Sequence, residues 1–459
     1  MSIIAAFAVP HPPLIVPEVG GGKESAVQAT IDSYHAVARR IAQIRPQTIF
    51  LISPHATSYA DYIHISPGDS ASGSLSKFGA PKVYTVKYDA PLAQEISLLC
   101  GGEDFPAGTL GEREPSLDHG ALVPLYFINR YFTDYQLVRC AVSGLSRREH
   151  YRFGMLVRKA AQQLGRDTVI VASGDLSHRT AADGPYGFMP EGPELDRQLV
   201  EIMRLGNFGD FFSLDPALVE KGAECGLKAF IIMAGALDGR TVGTDFYSYE
   251  GVTGVGYALC GFTDEGEDSA RKFLAYEEES NRRRIQNMRL EESIYVRLAR
   301  EALEGYIKDG ALPPLPQNLP PELSQHSAGV FVSLKKHGQL RGCIGTIEPT
   351  QVDIAAEIRQ NAVSSGTRDP RFSTVTEEEL PELVYNVDVL SPAVPRQKSE
   401  LDVRRYGVIV SSGVKRGLLL PDLDGIDTAE QQIEIACRKA GINSHEKYHL
   451  ERFEVVRHI

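Results

Sequence analysis

The chain has 459 residues, and at roughly 150 residues per domain that implies two or three domains with enough sequence to bury a real core. With 42% apolar and 24% charged residues it sits near the globular average, which excludes a disordered chain and a fibrous repeat. A net charge of -12 and the lack of a basic patch of useful length argue against a nucleic-acid partner.

The longest unbroken apolar run, Ala229 to Leu237, is far below the roughly 20 residues that cross a bilayer, so no membrane span is expected. The start, Met1 to Pro13, is apolar but lacks a basic segment and leads into a proline-rich motif unlike a signal peptide; a cytoplasmic protein is expected. Cys100, Cys140, Cys225, Cys260, Cys343 and Cys437 are scattered without a C-x-x-C pair, and reduced thiols are expected.

In chain order, a helical pattern over Ala26 to Ile44 precedes the β-branched run Thr48 to Ile52, and a second such run follows at Thr168 to Ala172. Short apolar runs alternating with helical patterns predict an α/β fold, a three-layer arrangement with helices on both faces of a largely parallel sheet, spanning residues 1–262. Between Thr263 and Arg284, 12 of 22 residues are charged, which reads as a charged linker over 263–285. Residues 286–459 predict a smaller α+β domain: an amphipathic stretch Glu291 to Lys308, a proline-rich loop Leu312 to Pro321, strands at Gly329 to Leu334 and Tyr385 to Leu390, and helices at Thr350 to Val363 and Thr428 to Ala440.

Four histidines of the first domain, His11, His55, His119 and His178, stand in short motifs of small and polar residues, mostly just after apolar runs. Sheets of this kind collect ligands at the carboxyl ends of their strands, so the four become candidates for chemistry. Prolines flank His11 in Val9-Pro10-His11-Pro12-Pro13, and Pro54 precedes His55, giving stiff loops that suit metal ligands. Asp118 directly precedes His119, and Asp175 lies three residues before His178, where it orients that ring, completes the pocket or serves as a turn residue. His35, His64 and His150 fall inside helix or strand patterns and read as structural or exposed; Tyr186, Phe188 and Phe208 are aromatics that either line the pocket or pack.

These motifs, with Glu224-Cys225-Gly226 before Met233-Ala234-Gly235-Ala236-Leu237, resemble the class III extradiol ring-cleavage dioxygenases of the protocatechuate 4,5-dioxygenase beta-subunit type and their Memo relatives, over residues 1–262. The resemblance implies a non-haem Fe(II) site at His11, His55 and Glu224 with open positions for a catecholic or aminophenol-like small molecule and O2. It implies that His178 is the acid/base beside the metal and that His119 assists substrate binding or a later proton transfer. Memo proteins carry a cysteine next to that glutamate position, and both residues are present here. Successive side chains on a helix diverge by about 100°, so one metal takes only one of them. Glu224 is the preferred ligand; Cys225 is the alternative and would favour copper, zinc or an altered iron site, as in a Memo-like metal-binding or scaffold protein without ring cleavage. Glu250 is a further carboxylate after a strand-like run, without a counterpart in the resemblance.

Residues 286–459 resemble the AMMECR family through Leu340-Arg341-Gly342-Cys343-Ile344-Gly345 and Asp369-Pro370-Arg371-Phe372. Arg341 beside Cys343 would lower a thiol pKa or hold an anion in a reactive loop; the alternative is a tight turn around a buried cysteine. The fusion of both modules resembles the AmmeMemoRadiSam system proteins, which implies a separate radical S-adenosylmethionine enzyme as a partner.

Overall fold

The short β-branched runs of the first part form one sheet in the computed structural model, which describes residues 2–423, 425–443 and 445–459. Its strands are β1 (Ile3–Val9), β2 (Thr48–Ser53), β3 (Gln136–Ala141), β4 (Thr168–Ser173), β5 (Arg240–Glu250) and β6 (Tyr257–Glu267). They lie in the order β3-β2-β4-β1-β6-β5. The first four are parallel, and β6 and β5 close one side as an antiparallel pair. Every residue of β2 and β4 is buried, as expected for strands covered on both faces.

Alternate side chains of these strands serve two cores, which makes the layers. Phe50, Ile52, Ile170 and Ala172 pack with α3 (Arg147–Gln163), α4 (Glu191–Leu205) and α5 (Leu227–Ala236) on one face. Ile49, Leu51, Val169 and Val171 pack with α1 (Gln28–Ile44) and α2 (His119–Ile128) on the other. The buried stripe Tyr34, Val37, Ala38 and Ile41 explains α1, because spacings of three and four place these side chains on one helix face. A capping box between Ser146 and Glu149 starts α3, and the Asp118 carboxylate caps α2. The expected three-layer α/β fold is present.

The second part is an antiparallel sheet with helices, the expected smaller α+β unit. Strands β7 (Val330–Lys336), β8 (Gln339–Gly345), β9 (Leu383–Leu390), β10 (Tyr406–Ser412), β11 (Lys415–Leu419) and β12 (His449–His458) follow the order β8-β7-β9-β12-β10-β11. Helix α6 (Phe273–Glu291) is followed by α7 (Ile294–Asp309), α8 (Ile354–Thr367) and α9 (Ala429–Ala440). Leu298, Leu303, Ile358 and Ala362 bury against Val330, Val332 and Val387, while Ile433 and Ala436 bury against Val408 and Val410. The chain divides into units Met1–Glu278 and Glu279–Ile459. The charged segment 263–285 is ordered secondary structure: it holds the end of β6 and most of α6, and its charges decorate that helix. Among the described residues no helix is long and apolar enough to cross a membrane.

Helices α3 and α5 touch through glycines. A Cβ on Gly235 would lie 1.9 Å from the Tyr151 carbonyl oxygen, and one on Gly154 would lie 2.0 Å from that of Ile232. Backbone atoms cannot yield as a side-chain tip can, so Gly235→Ala forces the helices apart. We expect a loss of about 1 to 3 kcal/mol in chemical denaturation, the usual range for an overpacked core; unchanged stability would contradict this packing.

Candidate metal centre

The parallel register brings three strand ends to one level. Val9 pairs with Ser173 across β1 and β4, and Ile52 pairs with Ala172 across β2 and β4. His11, His55 and Asp175 each stand two residues beyond the last residue of β1, β2 and β4, so they emerge together at the carboxyl edge. The loop carrying His11 is held from below by α1, whose Tyr34 hydroxyl donates to the Pro10 carbonyl. Ser173 Oγ lies 3.0 Å from His11 Nδ1, which leaves Nε2 facing outward into the cluster.

That nitrogen is 2.9 Å from His55 Nε2 and 3.6 Å from Cys225 Sγ. His11 is 2% exposed, whereas His55 is exposed to solvent, so the cluster opens at His55. The Asp175 carboxylate accepts the His11 backbone N–H at 2.7 Å, and its second oxygen lies 4.0 Å from His11 Nε2. His119 is brought in as well, its ring centroid 4.1 Å from that of His55. His178 joins from the other side: Asp175, His178 and Cys225 have donor atoms within 4.8 Å of one another.

The Glu224-Cys225 pair is arranged differently from the expected glutamate ligation. Among the described residues, the two groups able to hold a metal are His11, His55 and Cys225, and Asp175, His178 and Cys225; Glu224 is in neither. Its carboxylate instead accepts the Leu227 backbone N–H at 2.5 Å, satisfying an otherwise unpaired donor of the first turn of α5. Cys225 is turned into the cluster by a backbone clasp: the Asp175 carbonyl accepts the N–H groups of Cys225 at 3.3 Å and Gly226 at 3.0 Å, and the Asp175 N–H donates to Cys225 Sγ at 3.3 Å. This clasp needs glycine, because a Cβ on Gly174 would lie 2.1 Å from Gly226 Cα.

Burial sets the charge of the cluster. It lowers the His11 pKa to about 3, with the neighbouring His55 adding to the effect, and lowers that of His119 to about 4. Burial also lowers His178, raises Asp175 to about 6 and pushes the Cys225 thiol well up, the Asp175 charge reinforcing the last shift. Neutral His11, His119 and His178 rings and a protonated Cys225 thiol are therefore favoured in the protein alone, and a cation is the partner that reverses the cost of the thiolate.

Several neighbours are scaffolding. Asp118 accepts from Ser53 Oγ and from the Ala121 N–H and lies 3.7 Å from the buried Arg139 guanidinium; it anchors the helix that carries His119. Glu250 accepts the Thr30 N–H and hydroxyl at 2.7 and 2.6 Å near the start of α1. Phe208 belongs to the core, packed on Phe211 and Phe262, whereas Tyr186 stacks on His178 with centroids 5.2 Å apart. Phe78, 5.5 Å from the His119 ring, gave no signal in the sequence because it arrives from a turn far from every motif.

Residues 5–260 match the family described as the catalytic LigB subunit of aromatic ring-opening dioxygenase. The chain belongs to that family. Residues 296–458 match the AMMECR1 family, so this protein is a fusion of a LigB-like unit and an AMMECR1 unit. A protein of Clostridium acetobutylicum is 42% identical over 467 positions, covering 100% of this chain and 99% of its own. A protein of Thermotoga maritima is 50% identical over 150 residues, 32% of this chain and 86% of the relative. The crystal structure of an uncharacterized protein from Pyrococcus horikoshii aligns with a TM-score of 0.34 and 34% identity, over 36% of this chain and 88% of that one.

In the AMMECR1 unit the two signature motifs meet. The Cys343 N–H donates to Asp369 Oδ2 at 2.9 Å, and Arg371 pairs with the same carboxylate at 2.7 Å. The Ser333 hydroxyl donates to Cys343 Sγ at 3.2 Å. The Arg341 guanidinium pairs with the Glu379 carboxylate at 2.8 and 2.9 Å.

In the LigB-like unit, the loop that carries His178 hangs on Asp196, whose buried carboxylate accepts the Ser177 N–H at 2.7 Å and the Tyr249 hydroxyl at 2.8 Å. Burial, aided by the Glu224 charge, raises its pKa from 3.8 to about 7. A raised carboxylate contributes stability that is complete below its unfolded pKa and is lost as pH rises through the folded value. Replacing it by Asp196→Asn removes that loss. Between pH 4 and pH 8 the stability difference should move in favour of the variant, by at most about 4 kcal/mol at 1.36 kcal/mol per unit. Urea unfolding of the metal-free protein at both pH values measures this, and a pH-independent difference would contradict it.

Proposed function

We propose that the LigB-like unit binds one transition-metal ion through His11, His55 and Cys225 and handles a small chelating aromatic molecule, of catechol or aminophenol type, together with O2. One observation carries the reading: two imidazole nitrogens 2.9 Å apart and a thiol sulfur 3.6 Å from one of them at the carboxyl edge of the sheet. Such separations suit donors sharing an ion with bonds of about 2.0 to 2.3 Å. The donor chemistry fits iron(II), copper or zinc, with the thiolate moving the preference toward softer ions than a carboxylate would. When bound, the metal supplies a Lewis acid with positions left for other ligands, and iron or copper adds one-electron redox chemistry.

The surrounding residues have separable roles. Asp175 and Ser173 fix the orientation of His11, through its backbone N–H and its Nδ1 respectively. His178, kept neutral by burial, accepts the proton that a phenolic hydroxyl loses on chelation. His119, also neutral, flanks His55 and lines the opening. Glu224 stays with the first turn of α5 and positions the segment that presents Cys225. A metal-binding protein without turnover is the second reading, favoured by the thiol standing where a ring-cleaving enzyme of this family would offer a carboxylate. In either reading a radical S-adenosylmethionine enzyme belongs to the proposal as a partner of the whole chain.

Anaerobic titration with iron(II), copper(I) and zinc tests the ligand set. One equivalent should bind to the wild-type protein. Affinity should fall by at least about tenfold to a hundredfold in Cys225→Ser and in His11→Ala, the scale on which even outer partners of metal ligands act. Glu224→Gln should bind within a few-fold of wild type. The reverse order of Cys225→Ser and Glu224→Gln would overturn the assignment. Oxygen uptake with a catechol, lost on chelation of the metal, supports the enzymatic reading; stoichiometric metal without uptake across catechols and aminophenols supports the other.

A further inference from the structure

The rings of His11, His55 and His119 touch one another, with centroids 4.8, 4.1 and 5.4 Å apart, and an exposed aromatic ring flanks His119 and another flanks His178. His11 also meets Cys225, and Cys225 shares its neighbourhood with His178. Phe78 lies against His119, 5.5 Å between centroids and 61° between planes. Tyr186 stacks on His178, 5.2 Å apart and 27° from parallel.

Both rings are open to solvent beside the cluster. Phe78 is 43% exposed and Tyr186 is 62% exposed, although each touches a polar imidazole rather than the core. They come from unrelated segments: Phe78 from the turn between strands Ser70–Leu75 and Ala80–Lys87, Tyr186 from the loop after His178. The Tyr186 loop is tied at its base, where the Thr180 N–H donates to the Gly254 carbonyl at 3.1 Å and the Met189 N–H to the Arg179 carbonyl at 3.2 Å. The ring is therefore presented by an anchored loop.

We infer that Phe78 and Tyr186 are the specificity residues of this site and select a planar aromatic chelator over an aliphatic one. The inference rests on the metal-site reading above. A flat ligand bound at the exposed His55 face gains stacking contacts with each ring it reaches, which an aliphatic chelator of equal donor strength would not. Neither ring moves a proton or touches the metal; their effect is on which ligand is held.

The test compares 4-nitrocatechol, a planar aromatic chelator, with acetohydroxamate, an aliphatic one, on anaerobic iron(II)-loaded protein by optical titration. The preference for 4-nitrocatechol should fall by about fivefold in Tyr186→Ala and again in Phe78→Ala, the size of one aromatic pair each. Tyr186→Phe should keep it, and iron content and acetohydroxamate affinity should stay at wild-type levels in all variants. The chain has no tryptophan, so Phe78→Trp installs a single reporter whose emission 4-nitrocatechol should quench. Unchanged preference in both alanine variants, an unquenched reporter, or variants that lose iron would overturn the inference. A wild-type protein that takes up no iron would instead overturn the metal-site reading on which it rests.

Discussion

The candidate centre depends on how closely two backbones approach. The end of β4 and the turn before α5 lie so near that a Cβ on Gly174 would stand 2.1 Å from Gly226 Cα. At that range three hydrogen bonds between Asp175 and the Cys225-Gly226 segment become possible, and together they leave the thiol one direction to point. The same Asp175 carboxylate holds the His11 loop through its backbone N–H. One residue thus joins the loops of two strand ends and a helix start, and the donor atoms inherit their spacing from that junction.

The electrostatics follow from the same burial. Removing His11, His178 and Cys225 from water favours their neutral forms, and the raised carboxylates of Asp175 and Glu224 show that anions are costly here as well. Glu224 meets this cost away from the donor cluster, among the α5 N–H groups and the charges of Lys228 and Arg147. A bound cation would meet it for Cys225. The two neighbouring residues divide the work: one steadies the start of the helix, the other faces the imidazoles.

Much of this was legible in the sequence, for a definite reason. His55 and Asp175 each stand three residues past a β-branched run, His11 follows an apolar start, and a parallel sheet turns such positions just past strand ends into spatial proximity. The layers were legible because continuous apolar strands demand cover on both faces. The different placement of the Glu224 and Cys225 side chains was not, since it is set by contacts with Asp175, about fifty residues earlier, and by unpaired N–H groups at a helix start. Phe78 was hidden for a similar reason, because its contact with His119 is made across the fold and not along the chain. The charged stretch 263–285 misled in a different way: high charge marks a solvated surface, and α6 satisfies that as well as an extended linker does.

X-ray absorption at the iron edge of anaerobically iron(II)-loaded protein tests the central claim most directly, because it reports the ligand atoms themselves. The account predicts a sulfur scatterer at about 2.3 Å beside nitrogen at about 2.0 to 2.1 Å, by analogy with thiolate and imidazole bonds to zinc, with the sulfur lost in Cys225→Ser and kept in Glu224→Gln. A shell of nitrogen and oxygen alone that changes in Glu224→Gln and not in Cys225→Ser would contradict it.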